Sequence, residues 1–313
     1  MAVSLVTGAG GFIGQHLLRA LNEANQETVA LDLPGRLPYS ELGAGGALEV
    51  DICNRNELRR GLLLKKPQRI YHLAGLVSSR SLEDLFTSNV LGTLNLLGLL
   101  AELGLTETRV LISGSAAEYG FVEARQEAVA EEHPIRPVSL YGLSKAMQGL
   151  LAQGFILANH LQIARTRAFN VSGPGEPPSQ VCSAIARQIA QIEAGLLPPK
   201  LLVGNLDTER DFLDVRDLAR GLIAVMDRGV PGKIYNVCSG SGMPIRRLLN
   251  MLLELAESRI EVQIDASLVQ DDDVKRVVGD PTRVREDTGW RPRIEMGQTL
   301  ADLLAYWRKT ICP

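Results

Sequence analysis

The segment at residues 7–14 reads TGAGGFIG and lies between an apolar, strand-like run and an amphipathic segment whose apolar residues recur at helical spacing. Each glycine meets a separate steric need. Gly8 permits a tight turn, Gly11 lets the backbone approach a phosphate, and Gly14 lets the helix pack closely on the strand. The free N–H groups and the positive dipole end of that helix favour an anion. The segment therefore predicts a strand-turn-helix unit that holds the pyrophosphate of a dinucleotide.

A second strand-like run, residues 28–31, ends at Asp32, about 20 residues beyond the glycine segment. A carboxylate there accepts hydrogen bonds from the adenosine ribose hydroxyls and repels an additional phosphate on that ribose. Asp32 therefore favours NAD(H). Arg36, on the loop that follows, could accommodate the phosphate of NADP(H) if that loop folds back, so both cofactors stay open.

Bulk properties exclude several classes of partner. The chain has 313 residues, a net charge of −3 and a sequence pI of about 5.9, so it offers no basic field for nucleic acid or anionic lipid. Its cysteines are scattered without metal-ligand spacing, which predicts buried thiols in a reducing compartment and no metal site. The chain runs directly into the first strand, and its most apolar segment, residues 90–103, is interrupted by polar residues. We therefore expect a cytoplasmic protein without a membrane partner.

Strand-like runs alternate with helical periodicity through the first half of the chain, which is typical of a doubly wound parallel sheet of the Rossmann type. After Asn170, the proline-rich segment VSGPGEPPSQ marks a loop that leaves the sheet. We expect residues 1–170 to form a dinucleotide-binding domain, with residues 211–240 returning to it. Residues 171–210 and 241–313 are predicted to form a smaller α/β substrate lobe.

Tyr141 and Lys145 are four residues apart on a predicted helix, so their side chains share one face. We expect the ammonium to lower the pKa of the phenol enough for proton exchange with a sugar hydroxyl or ketone. Ser115 follows a strand-like run, residues 110–112, at the edge where ligands of such sheets bind, and its hydroxyl can orient the reacting oxygen. Taken singly, each feature is also explained by helix packing or by a turn-forming serine.

Taken together, the motifs carry a resemblance to a known family. TGAGGFIG, HLAG at residues 72–75, Asn89, SGSAAEYG, YGLSK and RDFLDVRD resemble the extended short-chain dehydrogenase/reductases of the NAD-dependent epimerase/dehydratase family, which act on nucleotide sugars. The resemblance covers essentially the whole chain. Within the family it is strongest to the bacterial GDP-4-dehydro-6-deoxy-D-mannose reductases, through RQIAQIEAG, VGNLDTERDFLDVRD, YNVCSG and TGWRPRI.

This resemblance implies a role for each matching residue. The catalytic residues would be Ser115, Tyr141 and Lys145. Asp51 and Ile52 would flank the adenine. The full set implied to contact the cofactor is Gly8, Gly11, Phe12, Ile13, Gly14, Asp32, Asp51, Ile52, Leu73, Ala74, Asn89, Tyr141, Lys145 and Phe169. The set implied to contact a nucleotide-diphosphate sugar is Ser115, Asn170, Arg187 and Arg210.

The chain also departs from the family. Its dehydratases carry an acid two residues after the catalytic hydroxyl, where this chain has Ala117, which can neither accept nor deliver a proton. Glu118 is one residue further on, and in an extended segment its side chain would point the other way. An arginine usual near the Gly-Asp-Pro segment is replaced by Gln270, followed by acidic residues at 271–273. Arg187 and Arg210 would then carry most of the anion recognition, unless Arg210 forms an ion pair with Asp211 or Asp214.

Three functions follow as alternatives. The first is a reductase of the 4-keto group of an NDP-4-keto-6-deoxyhexose that uses NAD(P)H. The second is an NAD-dependent nucleotide-sugar 4-epimerase, and the third is a non-catalytic dinucleotide-binding module. The predicted helices at 82–103 and 139–160 have more apolar surface than one sheet face needs, so we expect them to pair across the axis of a homodimer.

Overall fold

The computed structural model describes residues 2–37, 45–77, 81–123, 128–268 and 275–312. The strands within these ranges are β1 Val3–Thr7, β2 Glu27–Asp32, β3 Ala47–Glu49, β4 Arg69–His72, β5 Arg109–Ser115, β6 Ile163–Ala168, β7 Asn170–Ser172, β8 Lys200–Val203, β9 Glu209–Asp214, β10 Ile234–Val237, β11 Gly242–Pro244, β12 Glu261–Ile264 and β13 Arg276–Val277. The α-helices are α1 Phe12–Glu23, α2 Arg55–Lys65, α3 Leu82–Phe86, α4 Gly92–Glu102, α5 Leu140–Asn159, α6 Val181–Glu193, α7 Val215–Arg228, α8 Ile245–Glu254, α9 Thr282–Thr288 and α10 Met296–Ile311.

The largest sheet has the strand order β10-β6-β5-β4-β1-β2-β3, and every neighbouring pair in it is parallel. The chain moves outward from β1 to β3 and then returns to the other side of β1 with β4. In open sheets of this kind the ligand crevice lies outside the carboxyl ends of the strands at that reversal. The predicted doubly wound Rossmann fold is confirmed.

Helices cover both faces of this sheet. On one face, alternate strand residues pack against Leu17 and Leu21 of α1 and Leu222 of α7. On the other face, the intervening strand residues pack against α2, α4 and α5, with Leu58 and Leu96 at the centre. Burial on both faces explains why the central residues of most of these strands are apolar on both sides, as in Leu5 and Val6 of β1.

A smaller region carries its own apolar core. In it β9 pairs with β7, β11 and β13, and β8 pairs with β12. Its core joins α6, α8 and α10 through Ile185, Leu248 and Leu304. Residues 234–237, predicted to return to the dinucleotide-binding domain, form β10 at the edge of the large sheet. Part of the predicted substrate lobe packs there as well, because Val284 of α9 and the nearby Trp290 belong to the core of the large sheet.

The most apolar part of the chain is a core helix. Leu82–Glu102 is long and apolar enough to cross a membrane by length and composition alone, but 50% of its most apolar window is buried inside the fold. A π-helical turn, Thr87–Leu91, joins α3 to α4 within this segment. Such turns often occur at functional sites, and this one holds the fully buried Asn89.

Candidate active site

Close backbone contacts explain the glycine-rich turn after β1. Gly8 has a φ of +68°, and a Cβ there would lie 2.7 Å from the backbone nitrogen of Ala74, in the loop after β4. A Cβ at Gly14 would lie 2.2 Å from the carbonyl oxygen of Gly8. Helix α1 begins at Phe12, immediately after Gly11, so its first N–H groups face this turn. The turn therefore forms a backbone cradle that side chains would fill, and this cradle fits a pyrophosphate.

Asp32 lies at the carboxyl end of β2, beside that cradle. Its Oδ2 accepts a hydrogen bond from Gly10 N–H at 2.8 Å, and its Oδ1 accepts one from Leu33 N–H at 2.8 Å. The following loop does fold back, because a Cβ on Gly10 would lie 1.8 Å from the carbonyl oxygen of Arg36. The side chain of Arg36 is exposed. The carboxylate and the guanidinium that bear on cofactor choice thus belong to one compact loop.

Two residues expected at the adenine end have structural partners. The Asp51 carboxylate accepts a hydrogen bond from Cys53 N–H at 2.8 Å, which shapes the loop after β3. Ile52 is buried, and its side chain packs against Gly92 at the start of α4, where a Cβ would lie 2.4 Å from it. These contacts place both residues at the carboxyl edge of the large sheet.

Asn89 and Phe169, also expected near the cofactor, are buried. The Asn89 amide accepts a hydrogen bond from Leu76 N–H at 2.7 Å and donates to Leu76 O and Ser144 Oγ, each at 2.9 Å. It therefore ties the loop after β4, which includes Leu73 and Ala74, to helix α5. Phe169 packs in a cluster with Tyr119 and Cys238 beneath the end of β6. In this structure both residues support the walls of the crevice.

Ser115 and Tyr141 meet at the carboxyl edge of β5. Strand β5 ends at Ser115, and α5 begins at Leu140 with Ser139 as its cap. Burial raises the pKa of Tyr141, a hydrogen bond with Ser115 opposes this rise, and the charge of Glu118 adds to it. The expected lowering of the phenol pKa is therefore not what the structure shows, because desolvation outweighs the other effects.

Lys145 lies one turn further along α5. Its Nζ donates hydrogen bonds to Ser113 O at 2.8 Å and to Gln148 Oε1 at 2.9 Å. A Cβ on Gly75 would lie 3.9 Å from this Nζ, so the ammonium reaches the loop after β4. Burial lowers the pKa of Lys145 to about 8, and the charge of Glu118 opposes that effect. The carboxyl edge between β4 and β5 thus brings together a hydroxyl, a phenol and an ammonium.

The segment after Ser115 differs from the sequence prediction. Ala116–Glu118 forms a 3-10 turn instead of an extended segment, and Ser115 caps it by accepting a hydrogen bond from Ala117 N–H at 3.2 Å. The Glu118 side chain turns back, accepts a hydrogen bond from Ser115 N–H at 2.9 Å, and pairs with Arg167 Nε at 2.9 Å. Both charged side chains are buried. The spacing Ser-x-x-Glu is the sequence signature of a capping box and could have predicted this turn.

Besides Ser115 on β5, the residues expected to contact the sugar nucleotide lie on three further elements. Asn170 begins β7, is exposed, and donates a hydrogen bond to Asp211 O at 3.2 Å. Arg187 is exposed on α6, with its guanidinium 5.6 Å from the Trp307 ring centroid. Arg210 is half-buried in β9, opposite Met243 of β11.

The carboxylates near Arg210 have other partners. Asp211 accepts hydrogen bonds from Ser239 N–H at 2.8 Å and Gly240 N–H at 2.9 Å. Asp214 pairs with Arg216 at 2.7 Å. The substitution at Gln270 and the acidic run at 271–273 lie outside the described residues.

Comparisons with known proteins show which family the chain resembles along its length. The family model described as GDP-mannose 4,6 dehydratase matches residues 5–303. The GDP-6-deoxy-D-mannose reductase of Pseudomonas aeruginosa is 32% identical over 310 residues, which span 98% of this chain and 97% of that protein. The structure of RMD from Pseudomonas aeruginosa complexed with NADPH superposes with a TM-score of 0.88 at 31% identity, covering 99% of this chain and 100% of that one.

A second solved structure, the UDP-glucose 4-epimerase of Thermus thermophilus in complex with NAD, has a TM-score of 0.86 at 27% identity and covers 98% of this chain and 99% of that one. The glycine cradle, the Ser115 and Tyr141 pair and the match along nearly the whole chain lead to one assignment. The chain belongs to the GDP-mannose 4,6 dehydratase family of NAD(P)-dependent nucleotide-sugar enzymes, within the extended short-chain dehydrogenase/reductases.

Proposed function

We propose that this protein reduces the 4-keto group of a GDP-linked 4-keto-6-deoxyhexose with a dissociable nicotinamide cofactor. The observation that carries the proposal is the contact of Ser115 with the Tyr141 hydroxyl at the carboxyl edge of β5, with the Lys145 ammonium one helical turn away. The similarity to the Pseudomonas aeruginosa reductase supports the choice of substrate.

A bound nicotinamide cofactor would supply the hydride, and Ser115, Tyr141 and Lys145 would position and transfer the proton. The Ser115 hydroxyl donates a hydrogen bond to the keto oxygen and holds it next to Tyr141. The Tyr141 hydroxyl then donates its proton to that oxygen as negative charge develops there. The positive charge of Lys145 stabilises the tyrosinate that remains, and in the buried site this stabilisation is stronger than in water.

The turn after Ser115 disfavours elimination of water. Ala117 occupies the position at which related dehydratases have an acid, and it carries no exchangeable proton. Glu118 Oε1 accepts from Ser115 N–H and Oε2 pairs with Arg167, so both of its carboxylate oxygens are already engaged. Reduction of a ketone needs neither group, because Tyr141 supplies the only proton required.

Cofactor choice is the next part of the proposal. Asp32 favours NAD(H), since its carboxylate stands at the ribose end of the cradle and repels a phosphate there. Arg36 lies in the same folded loop and leaves NADP(H) as the alternative, in keeping with the NADPH complex of the similar Pseudomonas aeruginosa structure. The proposed holders of the cofactor are the glycines of the cradle, Asp32, Tyr141 and Lys145.

A homodimer forms part of the proposal. An open apolar groove runs along α5, and its lining includes Val90, Met147, Leu151 and Phe155. Leu150 and Leu157 on the same helix are 65% and 69% exposed. Large apolar side chains clustered on one face of a folded protein mark an interaction surface, and a second copy of α5 with its neighbouring helix matches this face. The compartment is proposed to be the cytoplasm.

The second candidate is a 4-epimerase, which oxidises and re-reduces the same carbon with a retained NAD. Asp32 suits tight NAD binding, and the Thermus thermophilus epimerase shares the fold. The two functions differ in stoichiometry. A reductase consumes one NAD(P)H for each keto-sugar, whereas an epimerase interconverts nucleotide hexoses without added reductant. A non-catalytic module would do neither.

The decisive experiment combines this stoichiometry with one substitution. Tyr141→Phe is expected to lower kcat by about 10²–10⁴-fold, because general acid catalysis contributes that much. NADH affinity should stay within about 3-fold of wild type, since the aromatic ring is kept. Tyr306→Phe, in a partly exposed position on α10, is the matched control and should leave kcat unchanged. Absence of NAD(P)H consumption with GDP-4-keto-6-deoxymannose, or equal turnover by wild type and Tyr141→Phe, would exclude the proposed reaction.

A further inference from the structure

A chain of buried polar side chains runs beneath the crevice from β1 to α5. Thr7 Oγ1 lies 2.8 Å from His72 Nδ1, and His72 Nε2 lies 2.9 Å from Thr93 Oγ1. Gln148 Nε2 lies 2.7 Å from the same Thr93 oxygen, and Gln148 Oε1 accepts the hydrogen bond from Lys145 Nζ at 2.9 Å. All four members of this chain, Thr7, His72, Thr93 and Gln148, are 0–1% exposed. We call it the Thr7–Gln148 chain.

The position of every proton in the Thr7–Gln148 chain follows from Thr93. A threonine hydroxyl has a single proton, and that of Thr93 goes to Asn89 O at 2.7 Å. His72 and Gln148 must therefore both donate to the Thr93 oxygen. This assigns the imidazole proton to Nε2 and leaves Nδ1 to accept from Thr7, whose oxygen in turn accepts from Ala74 N–H at 3.2 Å.

The same count of donors and acceptors around Thr93 fixes the orientation of the Gln148 amide. Its NH₂ group must face Thr93, because Thr93 has no second proton to give. Its carbonyl oxygen must then face Lys145. An ammonium has three N–H groups, and two of those of Lys145 are used by Ser113 O and Gln148 Oε1. One remains for the crevice.

We propose that Gln148 is a positioning residue for Lys145. Oriented by Thr93 and His72, it holds Nζ so that its remaining N–H is directed into the crevice, where the cofactor ribose would bind. This inference rests on the proposed function for the role of Lys145. The new element is that Gln148, one turn further along α5, sets the direction of the Lys145 side chain and stabilises its charge. The hydrogen bonds that hold Gln148 extend back to Thr7 in β1, the strand that leads to the glycine cradle.

Charges around Lys145 are consistent with this role. His72 is neutral, because burial and the nearby Lys145 lower its pKa to about 3. The Thr7–Gln148 chain therefore places only neutral side chains beside the ammonium. Glu118 from the turn after β5 and His72 from β4 interact electrostatically with Lys145, and Arg165 and Arg167 from β6 line the small cavity beside it. Tyr141 precedes Lys145 by one turn on the same helix. Burial lowers the pKa of Lys145, and the negative charge of Glu118 opposes this effect. The Gln148 carbonyl is a neutral acceptor that stabilises the ammonium form.

Two near-isosteric substitutions at Gln148 test the proposal by opposite effects. Gln148→Met removes the acceptor and should lower the pKa of Lys145. The pH at which kcat and NADH affinity decline on the alkaline side of their profiles should then fall by about one unit. Gln148→Glu places a carboxylate against the ammonium and should raise the pH at which both kcat and NADH affinity decline. For Gln148→Met we expect kcat to fall by about 10–100-fold while KM for the keto-sugar changes by less than about 3-fold.

Thr108→Val provides the control for loss of a buried hydrogen bond. Thr108 is buried just before β5, at the end of the sheet opposite the crevice, and donates to Pro67 O at 2.9 Å. Its substitution should lower the melting temperature and leave both pH profiles unchanged. Thr93→Val removes the group that orients Gln148 and should shift both pH profiles in the same direction as Gln148→Met, which keeps the test available if the Gln148 variants do not fold.

Wild-type pH profiles in the folded Gln148 variants, or in folded Thr93→Val, would overturn the inference. NADH affinity is measured by cofactor fluorescence across pH and needs no substrate. A protein that binds NADH with the shifted pH dependence but reduces no keto-sugar would refute the proposed function and support the role of Gln148.

Discussion

The carboxylate of Glu118 is shared between the backbone N–H of Ser115 and the guanidinium of Arg167, each at 2.9 Å. Ser115 ends β5 and Arg167 lies in the neighbouring β6, so one buried side chain joins the proposed catalytic hydroxyl to the next strand. Arg167 also stacks over the Tyr119 ring, with the guanidinium 4.5 Å from the centroid. The local backbone at Ser115 therefore depends on an ion pair that spans 49 residues of sequence.

Arg167→Met tests this dependence. The substitution leaves the Glu118 carboxylate buried without its partner, and we expect the free energy of unfolding to fall by about 3–5 kcal/mol. Urea unfolding measures the change. Arg246→Met is the control, because Arg246 pairs with Asp207 on the surface and should cost less than about 1 kcal/mol. Equal decreases in the free energy of unfolding would show that the buried pair stabilises the protein no more than the surface pair does.

Glu176 predicts a pH-dependent stability. It is buried in the proline-rich loop and accepts a hydrogen bond from Ser172 Oγ at 2.6 Å, and burial raises its pKa from 4.5 to about 7. Because the pKa of Glu176 is higher in the folded than in the unfolded state, its protonated form favours folding. This contribution to stability is complete below about pH 4.5 and is lost as the pH rises through about 7.

Glu176→Gln removes that titration. Relative to wild type, its free energy of unfolding should rise between pH 5 and pH 8 by on the order of 3 kcal/mol, since the buried amide carries no charge. Chemical denaturation at both pH values provides the measurement. The exposed Glu254→Gln should follow the wild-type pH dependence. A parallel pH dependence of wild type and Glu176→Gln would contradict the prediction.

Asp32→Asn tests the cofactor preference. The amide can still accept the hydrogen bond from Gly10 N–H but no longer repels a ribose phosphate. We expect the ratio of NADPH to NADH affinity to rise by about 10-fold, which corresponds to about 1.4 kcal/mol. Asp51→Asn, at the adenine end common to both cofactors, should change the two affinities alike. An unchanged ratio in Asp32→Asn would remove the reason for favouring NAD(H).

Leu150→Glu tests the proposed dimer. A charge in the apolar groove on α5 should convert a dimer of wild type to a monomer, because an unpaired carboxylate cannot be buried there. Light scattering after gel filtration at micromolar concentration gives the mass. Leu196→Glu is the matched control, since Leu196 is 64% exposed just after α6, outside the groove. A monomeric wild type, or a dimeric Leu150→Glu, would refute this interface.

Local patterns predicted most of the large sheet and its helices. The predicted helix at residues 139–160 is α5, with Ser139 as its N-cap and His160, at a φ of +55°, as its C-cap, because capping chemistry acts within a few residues. Residues 234–237, within the segment 211–240 expected to return to the dinucleotide-binding domain, form β10 beside β6. The turn at Ala116–Glu118 carries a capping-box signature but was missed, because three residues show no periodicity and the pairing of Glu118 with the distant Arg167 is not visible in the sequence.

By itself, the amino-acid sequence determined the parallel α/β fold, the glycine cradle, and the four-residue spacing of Tyr141 and Lys145 on one helix, since these depend on steric and periodic rules that act over a few residues. Only the tertiary structure decided that Glu118 supports Ser115 and that Thr93 and His72 orient Gln148 toward Lys145. A buried polar group must find a partner among its neighbours in space, and those neighbours come from strands and helices far apart in the chain.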